Sequence, residues 1–124
     1  METSNTVILV VEDEALIRMD VVDQLNQQGY AILEAATGRE ALEAIANAEI
    51  VNLLFTDIDM PGDLNGIRLA HEVSRSWPEM GIIVTSGMTP PGMGILPKGS
   101  RFFSKPYSPE LVHAAIREML PHPS

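Results

Sequence analysis

The chain has 124 residues, 45% of them hydrophobic, which is enough for a folding unit with a real core and too apolar for a disordered chain. A net charge of −9, with eight basic residues that form no run or stripe, argues against sequence-independent nucleic-acid binding. The absence of cysteine excludes disulfides, thiol catalysis and cysteine-based metal sites, and no apolar run approaches a membrane span, so a cytoplasmic location is expected.

Val7-Ile8-Leu9-Val10-Val11 is a short, continuous, β-branched run, the pattern of a central strand covered on both faces. After Glu12-Asp13-Glu14 the period changes. Ile17, Val21 and Leu25 recur at four-residue spacing and predict a helix that Gly29 stops. Tyr30 to Ala35 reads as a second strand, Arg39 to Ala48 as a second helix, and Val51 to Thr56 as a third strand. Ile67 to Trp77 reads as a helix closed by Pro78, Gly81 to Ser86 as a fourth strand, and Arg101 to Ser104 as a short fifth strand. Ser108 caps a last helix, with Pro109 at its first position and Val112, Ile116 and Leu120 along one stripe.

Strands alternating with helices imply an α/β fold, a parallel sheet with helices on both faces. One stretch breaks the alternation. A helix is due near Met88 to Lys98, but Pro90, Pro91, Gly92, Gly94 and Pro97 fall there. Each interior proline costs a helix about 3 kcal/mol and each glycine about 1 kcal/mol. An irregular fourth crossover is expected, and the segment Met88 to Gly99 is a candidate for a loosely ordered switch.

In an open parallel sheet, sites form at the carboxyl ends of the strands. Those ends supply Glu12 and Asp13 after the first strand, Asp57 after the third, Thr85 and Ser86 on the fourth, and Lys105 after the fifth. Taken singly, each has a plainer reading. Asp13 is a helix cap, Asp57 a turn residue, Thr85 a strand former and Lys105 a solvated charge. Taken together, they converge three carboxylates, hydroxyls and one ammonium. Like charges at that spacing repel unless a cation sits among them, and hard oxygen donors favour Mg²⁺. Asp57 could then attack phosphorus and become an acyl phosphate, with Lys105 and the metal offsetting charge on the phosphoryl oxygens.

The acidic pair Glu12-Asp13, Asp57 followed by Met60-Pro61-Gly62 and Asn65-Gly66, Val84-Thr85-Ser86, and Lys105-Pro106 together resemble a response-regulator receiver domain of two-component signalling, over essentially the whole chain. The resemblance implies a flavodoxin-like, doubly wound five-stranded parallel sheet in the order 2-1-3-4-5. It implies that Asp57 accepts a phosphoryl group from a sensor histidine kinase or a histidine phosphotransferase. It implies Mg²⁺ held by Asp13, Asp57 and the backbone carbonyl of Asp59, with Glu12 acting through water. It also implies a cis peptide between Lys105 and Pro106, and a switch pair of Thr85 and Phe102. Phe103 stands beside Phe102, and one of the two rings is expected in the core. His71, His113 and His122 are read as surface or helix residues, and Trp77 as core packing at a helix end.

With no output domain in the 124 residues, a stand-alone, monomeric receiver is expected, with a core over about residues 6 to 120. It is not expected to be an enzyme beyond self-catalysed phosphoryl acceptance and slow hydrolysis, and its downstream partner is a protein that the sequence does not name. Two departures from the family pattern stand out. The turn Pro61-Gly62-Asp63-Leu64-Asn65-Gly66 is one residue longer than usual, and Asp59 adds a carboxylate beside the phosphoryl position. The alternative is a haloacid-dehalogenase-like phosphatase using Asp57 and Asp59, but that motif normally follows the first strand of its sheet, not the third.

Overall fold

The computed structural model describes residues 6–62, 64–87, 92 and 94–120. Five strands, β1 (Val7–Val11), β2 (Ala31–Ala35), β3 (Leu53–Asp57), β4 (Gly81–Ser86) and β5 (Arg101–Ser104), alternate with four helices. These are α1 (Ala15–Gln27), α2 (Gly38–Asn47), α3 (Gly66–Ser76) and α4 (Pro109–Met119). The strands pair in parallel in the order β2-β1-β3-β4-β5, which is the flavodoxin-like arrangement.

Side chains alternate across a strand, so each central strand feeds two cores. Leu9, Val11, Leu54, Ile82 and Val84 face Ala41 and Ile45 of α2 and Leu69, Ala70 and Val73 of α3. Ile8, Val10, Leu53, Phe55 and Ile83 face Val21 and Leu25 of α1 and Val112, Ala115 and Ile116 of α4. This is why β1 and β3 read as unbroken apolar runs. The edge strands β2 and β5 are only partly buried, each lacking a neighbour on one side.

Local chemistry sets the helix ends. Thr37, Asn65 and Ser108 accept hydrogen bonds from the backbone amides of Glu40, Arg68 and Leu111, capping α2, α3 and α4. Gly29 closes α1 at φ 97°, a conformation that favours glycine. The predicted bounds of β1, β4 and β5 hold, and those of β2, α2, β3 and α3 shift by one or two residues. The plainer reading of Asp13 as a cap does not hold, since Glu14 occupies the cap position of α1 and its side chain makes no capping bond. Ile17, placed on the apolar stripe of that helix, is 36% exposed.

Between β4 and β5, residues 92 and 94–100 form turns and no helix, as the proline and glycine content predicts. This stretch is fastened to the body. His71 Nε2 of α3 donates to the Ile95 carbonyl at 2.6 Å, and Leu96 packs on the α2–α3 side of the sheet. Positions 88–91 and 93 of the expected Met88–Gly99 switch lie outside the described residues, as does His122. Trp77 is the C-cap of α3 and partly buried against the same core, and His113 shares a 2.7 Å hydrogen bond with the buried Tyr30.

One close approach positions the site. The Gly66 amide donates to the Ile58 carbonyl at 3.2 Å, and a Cβ on Gly66 would stand 2.1 Å from the Asp57 carbonyl oxygen. The start of α3 therefore rests directly on the backbone of Asp57. Gly66→Ala gains about 1 kcal/mol of helix propensity but must push α3 off that backbone. A net loss of about 1–3 kcal/mol is expected, read as a lower urea midpoint with an unchanged slope.

Candidate functional site

The site is assembled at the carboxyl ends of four strands. Glu12 and Asp13 follow β1, Asp57 is the last residue of β3, Thr85 and Ser86 end β4, and Lys105 follows β5. Asp57 is thus held in the sheet, directly in register with Thr85, rather than in the turn beyond it. Backbone bonds lock the tips together: Ile58 N donates to the Thr85 carbonyl at 2.8 Å, Lys105 N to the Ser86 carbonyl at 2.9 Å, and Glu12 N to the Ala35 carbonyl at 3.1 Å. The Lys105–Pro106 peptide is cis.

Carboxylate oxygens of Glu12, Asp13 and Asp57 lie within 4.8 Å of one another. Glu12 and Asp57 are buried, at 4% and 6% exposure, whereas Asp13 is open to solvent. Lys105 Nζ bridges the two buried groups, 3.4 Å from Glu12 Oε1 and 3.3 Å from Asp57 Oδ2. Two buried carboxylates thus share one ammonium, with a third, solvent-exposed carboxylate beside them.

The titration directions follow from that imbalance. Burial pushes the Glu12 carboxyl above its ordinary range, the Glu14 amide pulls it down, and the Asp57 charge pushes it up again. Burial alone would lower Lys105, but the charges of Asp57 and Glu12 outweigh it and hold the ammonium above its usual value. The two directions are compatible, because Lys105 sees two opposite charges while Glu12 also sees a like charge and loses its water. Tyr107, packed edge-on to Phe55 and Phe103, is pushed up to about 12, chiefly by burial, and stays neutral.

The two adjacent rings of β5 divide between the sheet faces. Phe102, in register with Val84, packs on the α2–α3 side, and Phe103, in register with Thr85, packs against Tyr107 on the α1–α4 side. Both are only partly buried, which corrects the expectation that one of them is core; β5 is an edge strand and covers neither ring fully. The Thr85 hydroxyl has no hydrogen-bond partner among the described residues, although Thr85 is 2% exposed.

Two contacts are not legible in the sequence. Arg18 Nη1 donates to the Glu12 carbonyl at 2.7 Å while its Nε pairs with Glu34 at 3.1 Å, pinning the start of α1 to the acidic loop. Ser86 Oγ donates to Asp59 Oδ2 at 2.6 Å, so Asp59 is held by β4 and stands outside the close cluster of carboxylates. The four-residue step from Glu14 to Arg18 points to a different pair, since Arg18 instead reaches the Glu12 carbonyl and Glu34. Nothing in the spacing hinted at the second either, which spans 27 residues.

The chain matches the family model described as response regulator receiver domain over residues 8–117. It is 34% identical to the chemotaxis protein CheY of Thermotoga maritima, over 90% of this chain and 95% of that protein. It is 32% identical to the sensor kinase CckA of Brucella abortus, over 95% of this chain but only 13% of the kinase's length. Among solved structures it resembles the response regulator TrrA of Thermotoga maritima in complex with Mg(2+)-BeF, with a TM-score of 0.80 at 25% identity, covering 93% of this chain and 99% of that one.

Because the Glu12 carboxyl is held above its ordinary value, its charge opposes folding once pH exceeds the unfolded value near 4.5. Without metal, Glu12→Gln is expected to be more stable than the parent at pH 7.5, and the gap should close as pH falls below 4.5, where the glutamate is protonated in both states. Urea unfolding across that pH range reads the sign directly.

Proposed function

The chain belongs to the response regulator receiver domain family and accepts a phosphoryl group in two-component signalling; from that premise we propose that Asp57 is the acceptor, assisted by Lys105 and Thr85. One observation carries the assignment. Asp57 is the buried terminal residue of β3, with Oδ2 3.3 Å from Lys105 Nζ and Oδ1 receiving the Asp59 amide at 3.2 Å. A carboxylate so held is oriented and still at the mouth of the strand tips.

In the transfer, an Asp57 oxygen forms a bond to phosphorus as the bond from phosphorus to the donor's imidazole nitrogen breaks. The electron pair remains on the imidazole, which the solvent reprotonates. Lys105 offsets charge on the phosphoryl oxygens, and the Thr85 hydroxyl donates to one of them. Thr85 and Phe102 form the switch that carries the change outward; the half-buried ring of Phe102 leaves it room to respond.

The donor set fits a hard divalent cation: three clustered carboxylate oxygens with a surplus of negative charge over Lys105. Asp13, Asp57 and the Asp59 backbone carbonyl would hold Mg²⁺, with Glu12 acting through water. When bound, the ion supplies positive charge that offsets the crowded carboxylates and the phosphoryl oxygens.

The donor is a sensor histidine kinase or a histidine phosphotransferase. Leu16 and Met19 near the start of α1, and Leu111 near the start of α4, are 81%, 61% and 63% exposed. They lie at the strand-tip end of one sheet face, which supports docking of a donor helix beside Asp57. The same reading extends to a cytoplasmic monomer that acts by binding a protein partner or by passing the phosphoryl group on, and that is not a turnover enzyme. Among the described residues no helix is long and apolar enough to cross a membrane. The place of Asp57 on β3 weighs against the phosphatase alternative with Asp57 and Asp59.

With acetyl phosphate and Mg²⁺, the parent is expected to take up one phosphoryl group, and Asp57→Asn and an EDTA-treated sample to take up none. Equal labelling of Asp57→Asn would overturn the acceptor, and multiple turnovers on a generic phosphomonoester would restore the phosphatase.

A further inference from the structure

Resting on the reading of Glu12, Asp13 and Asp57 as the seat of Mg²⁺ beside the phosphoryl acceptor, we propose that Arg18 is a positioning residue for Asp13, that Glu34 holds Arg18 to the task, and that the pair thereby sets the affinity of the site for Mg²⁺. Asp13 stands on the connection between β1 and α1, and its side chain is exposed. An exposed carboxylate on a short loop has little packing to set its direction. The direction must come from the backbone that carries it.

The peptide joining Glu12 to Asp13 is planar, so a grip on its carbonyl also fixes the amide from which Asp13 begins. Arg18 supplies that grip, with Nη1 donating to the Glu12 carbonyl at 2.7 Å. The Glu12 amide is held from the other side by the Ala35 carbonyl at 3.1 Å, and the Glu14 amide donates to Glu12 Oε2 at 3.1 Å. The guanidinium is itself fixed, because its Nε donates to Glu34 Oε1 at 3.1 Å. Glu34 lies on β2, in register with Val10 of β1. One planar group thus joins α1, the acidic connection and the edge strand.

Two simpler roles make opposite predictions. As an ion pair with a side chain 48% exposed, Arg18 and Glu34 would contribute little beyond the surface. As a bare positive charge beside Glu12, Arg18 would repel a divalent cation, and its removal would tighten Mg²⁺ binding. Positioning gives the reverse sign. A ligand already held in place has less freedom to lose when the ion arrives, so removal of Arg18 weakens binding although it removes a repulsive charge.

The test is calorimetric titration of the purified chain with Mg²⁺ alone, in parallel with the Mg²⁺ dependence of labelling by acetyl phosphate. Arg18→Ala should weaken Mg²⁺ binding about tenfold, the scale of a partner lost from behind a metal ligand. The Mg²⁺ concentration for half-maximal labelling should rise by the same factor, while the rate at saturating Mg²⁺ falls far less. Glu34→Ala should weaken binding in the same direction, and the double variant no further than Arg18→Ala, because Glu34 acts through Arg18. Glu34→Gln keeps an acceptor for Nε and should recover most of the affinity that Glu34→Ala loses; these two variants decide the matter if Arg18→Ala does not fold. Unchanged or tighter Mg²⁺ binding by Arg18→Ala overturns the proposal while leaving Asp57 as acceptor. A lowered rate at saturating Mg²⁺ with unchanged half-saturation overturns it as well. An equal loss in Glu34→Gln and Glu34→Ala overturns the part assigned to Glu34. Absence of Mg²⁺ binding to the parent overturns both this proposal and the metal reading on which it rests.

Discussion

Crowding of negative charge around one ammonium is the constraint on which this molecule is built. Glu12, Asp13 and Asp57 bring carboxylate oxygens within 4.8 Å of one another, two of them buried, with Lys105 in bridging position between those two. Such a group does not stabilise a fold; it costs desolvation and repulsion that the rest of the structure must outweigh. The surrounding architecture reads as the means of holding it. Two apolar cores fix five parallel strands, and backbone bonds between the tips fix the relative heights of Asp57, Thr85 and Lys105.

The same constraint explains why the start of α3 is so close to the sheet. Gly66 lets the helix rest on the Asp57 backbone, and Asn65 caps it there. The loop between β3 and α3 is thereby held at the mouth of the site, and Asp59 is anchored across it by Ser86. Among the described residues, the opposite pole of the sheet carries no comparable cluster of carboxylates. A groove of about 480 Å³ lies there between the α2–β3 and α3–β4 connections, walled in part by Trp77, Glu49 and Glu79. The chemistry of the molecule is confined to one end because the parallel strands all deliver their carboxyl ends there.

The connection between β4 and β5 sets this chain apart from a regular alternation of strand and helix. Its described part is a series of turns with Gly94 and Gly99 at positive φ, tied to α3 by His71 and to the core by Leu96. Among the described residues, the face beside β5 is therefore shaped by these turns and by the half-buried Phe102.

Sheet and helices were legible in the sequence because their signals are local. A β-branched run, a four-residue apolar period, a capping serine and a pair of prolines each act within a few residues. Local signals also placed Glu12, Asp13, Asp57, Thr85 and Lys105 at strand ends, and the parallel topology made those ends converge. What the sequence left open depended on register and on contacts between distant residues. Whether Asp57 closes the strand or opens the turn is decided by its pairing with Thr85. The division of Phe102 and Phe103 between two faces, and their partial exposure, follow from β5 standing at the sheet edge. The bonds from Ser86 to Asp59 and from Arg18 to Glu34 exist only once the elements that carry them are docked. Composition and periodicity thus determined the elements and the chemistry they carry, and tertiary packing alone decided which charged groups share a partner, because that depends on distances that no local pattern encodes.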